Sequence, residues 1–245
     1  MSGHSKWATI KRKKAVTDAK RGKMFTKLIK EITIAAREGG GDPAGNPRLR
    51  LAIDNAKAQN MPADNIDRAV KKATGELEGV QYHELTYEAY APGGIALLVE
   101  VATDNKNRTV AEVRHIFSKH GGSMAESGSV AWMFDRKGIL NIAAEGKSED
   151  EMMEVVLESG ADDLRSEEDM FIIQTTIENF EPVRRDLAGK GFKFENAALE
   201  WVPKNLIAVG GDDAVKLVKV LDMLEDSDDV QNVFHNADID PSALG

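Results

Sequence analysis

The period of the apolar residues changes once along this chain, and that change restricts the possible folds more than any other feature. Between Thr17 and Gly39 the apolar positions Met24, Phe25, Leu28, Ile29, Ile32, Ala35 and Ala36 are spaced for one face of a helix. Gly39, Gly40 and Gly41 stop it. Pro47 opens a second helix with the stripe Leu49, Ala52, Ile53 and Ala56. Pro62 opens a third with Ile66, Ala69, Val70 and Ala73, closed by Gly75. Three short helices on short connections make a small α-domain. After Gly79 the pattern turns to strands: Thr86 to Ala91 and Ile95 to Val101 flank the tight turn Pro92-Gly93-Gly94.

The rest of the chain alternates between the two periods. Thr109 and Glu112 have the spacing of a capping box, predicting a helix that runs to Gly121, and Ser129 to Phe134 reads as a strand. Next come a strand at Ile139 to Ala143, a helix opened by Ser148 and Glu151 and ending at Gly160, and strands near Asp163 and at Met170 to Thr175. A helix over roughly Pro182 to Leu187 and a strand over Phe192 to Trp201 follow. The order β-α-β-β-α-β is that of a ferredoxin-like unit. Beyond Pro203 there remain one helix (Val215, Leu217, Val218, Leu221, Leu224) and one strand, Val230 to Phe234. These two cannot make a domain alone. Either they complete the earlier α+β sheet, which makes the ferredoxin-like unit an insertion, or they pack sequentially as a fourth piece. The expected fold class is therefore α+β: a basic helical domain at 1–77, an α+β domain at 78–136 plus 205–245, and an inserted ferredoxin-like α+β domain at 137–204.

Charge divides the chain at the same place. The protein carries net charge −9, yet residues 1–75 hold 17 Lys and Arg against 7 Asp and Glu, while residues 76–245 hold 15 against 34. Such an asymmetry points to a polyanion-binding segment on an acidic body. Lys6, Lys11, Arg12, Lys13, Lys14, Lys20, Arg21, Lys23 and Lys27 can each neutralise a phosphate, and Arg48 and Arg50 can extend the same surface. Trp7 either stacks on an exposed base or staples the segment to the helical domain. With few apolar residues, Met1 to roughly Lys20 is expected to be mobile until it binds. Asp104 to Thr109 leads into a helix N-terminus, which either favours an anion or is simple turn and cap chemistry.

Signals for catalysis are weak. There is no cysteine, so neither a disulfide nor a thiolate site is available. Gly39-Gly40-Gly41-Asp42 lacks the Lys and hydroxyl of a phosphate loop and follows a helix rather than a strand. His115 and His120 are five apart, where a helical metal pair needs about four, and His4, His83 and His235 are isolated. Glu88 and Asp104 are candidate acids without a nucleophile at a defensible spacing. Residues 145–169 carry 11 acids and 2 bases, a solvated face or a surface that repels nucleic acid. No catalytic residue, metal or cofactor is assigned. No apolar run approaches the length of a membrane span and no secretory signal opens the chain, so the expected location is the cytoplasm.

Several stretches resemble the YebC/PmpR family: GHSKW (Gly3 to Trp7), Asp18 to Lys27, Gly39 to Arg50, Tyr87 to Gly94, Thr103 to Arg114, Lys119 to Gly122 and Gly128 to Phe134. The resemblance covers essentially the whole chain and is most specific over 3–138. It implies three domains, one set within another, and no enzymatic activity. It also implies a DNA-binding regulator of transcription. The family is further similar to a mitochondrial translational activator of a cytochrome oxidase subunit, and members act at the ribosome on proline-rich stretches. The expectation is thus a non-enzymatic, nucleic-acid-binding regulator of gene expression. Its alternative is a ribosome-associated translation factor that binds ribosomal RNA. Its oligomeric state is left open.

Overall fold

The computed structural model describes residues 18–167 and 169–239; the side chains of residues 18–20 fall outside the description. It is an α+β protein that opens with three helices, α1 (Asp18–Gly39), α2 (Pro47–Ala58) and α3 (Ala63–Ala73). Their facing stripes bury Ile32, Ala35, Ala36, Leu49, Ala52, Ala56, Ile66 and Ala69 in one core. Asn46 fixes the turn between α1 and α2: its side chain accepts from Leu49 N as an N-cap and donates to Ala35 O and Gly40 O. A Cβ on Gly39 would come within 2.6 Å of that side chain, so the helix stop is also a steric requirement.

The first sheet has the order β3-β1-β2-β9, from β1 (His83–Ala91), β2 (Ile95–Thr103), β3 (Ser123–Met124) and β9 (Val230–His235). β1 and β2 form an antiparallel hairpin across Pro92–Gly94, where Gly93 takes φ 78°. Helices α4 (Lys106–Lys119) and α7 (Gly211–Asp226) cover one face. The other face carries Ala96, Leu98, Val130, Phe134 and Phe234. β2 is thus buried on both sides, which is why Ile95–Val99 is continuously apolar instead of alternating. Antiparallel pairing of β9 with β2 brings the end of the chain back to this sheet.

The second sheet is built from β4 (Phe134–Ala143), β5 (Asp163–Glu167), β6 (Met170–Thr175) and β7 (Phe194–Pro203) in the order β5-β6-β4-β7. With α5 (Glu149–Glu158) and α6 (Ile177–Gly189) on it, this is the ferredoxin-like arrangement. A short parallel pair, β8 (Ile207–Val209) with β10 (Ala237–Ile239), completes the fold. Glu100 joins the two sheets by accepting from Arg136 at 2.7 Å, Trp201 at 3.0 Å and Asn232 at 3.0 Å.

The capping box at Ser148 and Glu151 forms as its spacing predicts. Three local expectations need correction. Thr109 does not cap α4: Asn105 does, three backbone steps before Arg108, while the Thr109 side chain is buried beside Asp229. Residues 129–133 are a turn and a 3-10 segment rather than a strand, because the Val130 and Ala131 N–H groups bond to the Glu88 carboxylate and those of Ser129 and Met133 to Glu126 O and Val130 O instead of a neighbouring strand. Helix α6 begins at Ile177, capped by Thr176, and carries Pro182 inside it. Among the described residues no helix is long and apolar enough to cross a membrane. The expected mobility of Met1 to Lys20 concerns residues that lie almost wholly outside the description.

Candidate nucleic-acid interface

Lys23, Lys27 and Lys30 of α1 lie on one stripe, and the stripe faces the protein. Lys23 Nζ donates to Asp226 O at 2.9 Å and pairs with the Asp226 carboxylate at 3.0 Å. Lys27 Nζ donates to Glu225 O at 3.0 Å. Lys30 Nζ, with its residue only 5% exposed, donates to Ala102 O, Asp228 O and Asp229 Oδ1. The last carbonyls of a helix lack partners within it and carry the negative end of its dipole. Lys23 and Lys27 therefore cap the C-terminus of α7, and the helical region docks on the first sheet through them. The sequence assigned both lysines to phosphates, and within the chain both meet these carbonyls.

Asp229 is the centre of that contact. Its buried carboxylate pairs with Lys30 at 2.8 Å and Arg108 at 2.6 Å, and the Thr103 and Thr109 hydroxyls lie 3.2 and 2.8 Å from Oδ2. Burial alone would raise its pKa, but the hydrogen bonds from Arg108, Lys30 and Thr109 outweigh this and hold it at about 2. Asp104 pairs with the same Arg108, and the Asn105 side chain already caps the α4 N-terminus. Capping accounts for this segment without an anion.

Arg48 and Arg50 are also used internally. Arg48 meets Glu31, Glu38 and the β1 residue Glu84, at 2.9, 2.8 and 2.6 Å. Desolvation would lower its pKa, yet the bonds to Glu84 and Glu31 raise it, so it stays charged and bolts α1, α2 and β1 together. Arg50 donates to Pro43 O and to Glu181 on α6 at 3.3 Å. Asp54 pairs with Arg184, and Asn55 exchanges hydrogen bonds with the backbone of Ala197 in β7. Helix α2 is thereby fixed to the ferredoxin-like unit. Arg48 and Arg50, expected to extend the basic surface, form these ion pairs with carboxylates on other elements.

Acid should loosen these contacts. Glu181 sits low for the same reason as Asp229: burial raises it, and bonds from Arg184 and Arg185 bring it down to about 2. A carboxyl depressed in the folded state stabilises fully above its ordinary range near pH 4, and that contribution is lost as pH falls toward 2. Thermal unfolding followed from pH 7 to pH 2 is expected to hold above about pH 5 and to drop steeply between about pH 4 and pH 2. A flat profile over that range would contradict the assignment.

Several basic side chains are left over. Arg21, Arg68, Lys71 and Lys72 are exposed with no ion-pair partner within 4.0 Å among the described residues, the last three on the outer face of α3. The sequence already showed that face, since the stripe Ile66, Ala69, Val70 and Ala73 must turn Arg68 and Lys72 outward. Lys6, Trp7, Lys11, Arg12, Lys13 and Lys14 lie outside the described residues, as does the side chain of Lys20. Among the described residues no three His, Asp or Glu side chains gather as a metal site would require. Glu88 and Asp104 serve as acceptors for backbone N–H groups and for Arg108.

Comparison with known proteins covers nearly the whole chain. Residues 5–76 match a family model described as the TACO1/YebC protein N-terminal domain, and residues 82–237 one described as the TACO1/YebC second and third domain. A probable transcriptional regulatory protein of Pelodictyon phaeoclathratiforme is 58% identical over 245 residues, covering 100% of this chain and 98% of the relative. One from Chloroherpeton thalassium is also 58% identical and one from Chlorobaculum tepidum 56%, with the same coverage. The crystal structure of a conserved hypothetical protein, Aq1575 from Aquifex aeolicus, superposes with TM-score 0.87 at 47% identity, covering 93% of this chain and 94% of that one.

Proposed function

This chain belongs to the TACO1/YebC family, and on that premise we propose that it is a non-enzymatic regulator of gene expression that works by holding nucleic acid. The observation that carries the reading is the charge division: 17 Lys and Arg against 7 Asp and Glu in residues 1–75 of a protein with net charge −9. Lys23, Lys27, Lys30, Arg48 and Arg50 already have internal partners, so on this reading the main phosphate contacts fall to Lys6, Lys11, Arg12, Lys13, Lys14, Lys20 and Arg21. Arg68, Lys71 and Lys72 on α3 join them. The acidic body opposes indiscriminate coating of a polyanion and leaves attraction to these groups. Relatives bear the name probable transcriptional regulatory protein, which favours a DNA target and supports a place in the cytoplasm.

A second reading, an RNA target such as ribosomal RNA, is favoured by Trp132. Its residue is 64% exposed, while its indole N–H donates to Ser129 O at 2.9 Å. The loop beneath is gripped by Glu88, which accepts from Gly128, Val130 and Ala131 at 2.6, 2.6 and 3.0 Å. A held ring whose polar edge is already satisfied offers its faces only, which suits stacking on an unpaired base. Equilibrium binding of the full chain to a single-stranded RNA and to duplex DNA tests both readings. Salt-sensitive binding is expected, and no binding to either at low salt would contradict the function. Trp132→Ala is expected to weaken single-strand binding by about 1–3 kcal/mol and to leave duplex binding unchanged if RNA is the target. Equal affinity of parent and variant for the single strand would remove the support for RNA.

A further inference from the structure

Two helices of the acidic body bring like charges together without a carboxylate to balance them. Helix α4 carries His115 and Lys119 and ends at His120; α7 carries Lys219. His120 packs against α7 with Nε2 3.1 Å from Met223 Sδ. Its pKa is lowered by burial first and then by Lys119, Lys219 and His115. Lys119 and Lys219 are both exposed, and among the described residues no carboxylate lies within 4.0 Å of either. Glu112 and Asp222, on the same two helices, do not pair with them. In a segment with 34 acids and 15 bases, an unbalanced cationic patch is a departure from the surrounding surface.

The patch is continuous with the contact that anchors α1. On α7, Lys219, Met223 and Asp226 are spaced four and three apart and share one face. Met223 meets His120, and Asp226 meets Lys23. From Lys219 to Asp226 is about 10 Å along the helix axis. The basic segment of residues 1–14 joins α1, whose first residue, Asp18, is five positions from Lys23. Lys23, near the start of α1, therefore meets α7 about 10 Å along its axis from Lys219.

We propose that His115, Lys119 and Lys219 form a second phosphate-contact site on the body, which takes the backbone of the same nucleic acid beyond the N-terminal segment. The site rests on the nucleic-acid reading and extends it: the bound strand follows α7 from the root of α1 to the C-terminus of α4. Contacts to the backbone position a strand without reading its bases, so the site acts alike on every sequence.

The test is a salt titration of binding to a single-stranded RNA of about 20 nucleotides and to a duplex DNA of similar length, with the full-length chain. Lys119→Ala/Lys219→Ala is compared with the parent and with Lys11→Ala/Arg12→Ala/Lys13→Ala/Lys14→Ala. Both lysines are exposed, and an unchanged melting temperature shows that the fold persists. The expected result is a slope of log affinity on log salt flatter by about 1–2 units, equal across sequences, and additive with the N-terminal change. If the double variant keeps the parent's slope and affinity while the N-terminal variant weakens, the site is overturned and the nucleic-acid reading stands. If the parent binds neither polymer, both fall together.

Discussion

Asp229→Ala is expected to destabilise the protein by about 3–5 kcal/mol, the range for removing one partner of a buried ion pair. Its carboxylate is the meeting point of Lys30 from the helical region and Arg108 from α4, with Thr103 and Thr109 beside it. Removing it leaves the Lys30 ammonium buried against two carbonyls without a counter-charge. Arg108 suffers less, because it is half exposed and keeps Asp104. Asp229→Asn should cost less than the alanine, since it retains an acceptor, and should remove part of the acid sensitivity. Asp104→Ala, an exposed partner, should cost under about 1 kcal/mol. Urea unfolding of the three variants, together with limited proteolysis of the 74–82 connection, gives the comparison. A loss below about 1 kcal/mol for Asp229→Ala would mean that the helical region is held by its other contacts, Lys23 and Lys27 on α7 among them.

The architecture was legible because each element declares its own buried face. The stripes of α1, α2 and α3, the hairpin around Gly93 and the Ser148–Glu151 cap depend on residues within a few positions of one another. Two of the misread elements depended on distant partners. Thr109 looks like a cap until Asp229, 120 residues later, claims its hydroxyl. Ser129 to Phe134 alternates like a strand, but Glu88 draws its N–H groups away from any ladder. The same reason explains the site. Lys23 and Lys27 have the composition of a phosphate-binding face, and their acceptors at Asp226 and Glu225 lie 203 and 198 residues away. Arg48 likewise meets Glu84 across 36 residues. Local sequence reports a charge and not what will neutralise it. Lys119 and Lys219 illustrate the converse: each is ordinary in its own helix, and only the packing of α4 on α7 makes a patch of them.

The largest effect on function is expected from Lys11→Ala/Arg12→Ala/Lys13→Ala/Lys14→Ala. Four Lys and Arg groups that neutralise phosphates release their counterions together, so their loss should flatten the slope of log affinity on log salt by about 3 units. At roughly 0.1 M salt this corresponds to a loss of up to about a thousandfold in affinity. Stability is expected to change little with it, because among the described residues the docking of α1 runs through Lys23, Lys27 and Lys30. That separation is useful: Asp229→Ala lowers stability, and the N-terminal variant lowers affinity alone.

The measurement that bears most directly on the central claim is therefore a salt titration of the parent chain and the N-terminal four-residue variant, against one single-stranded RNA and two duplex DNAs of unrelated sequence. The account predicts salt-steep binding by the parent, a variant slope flatter by about 3 units, the same relative loss on every sequence, and unchanged melting. A variant that binds as tightly as the parent and with the same slope would contradict it.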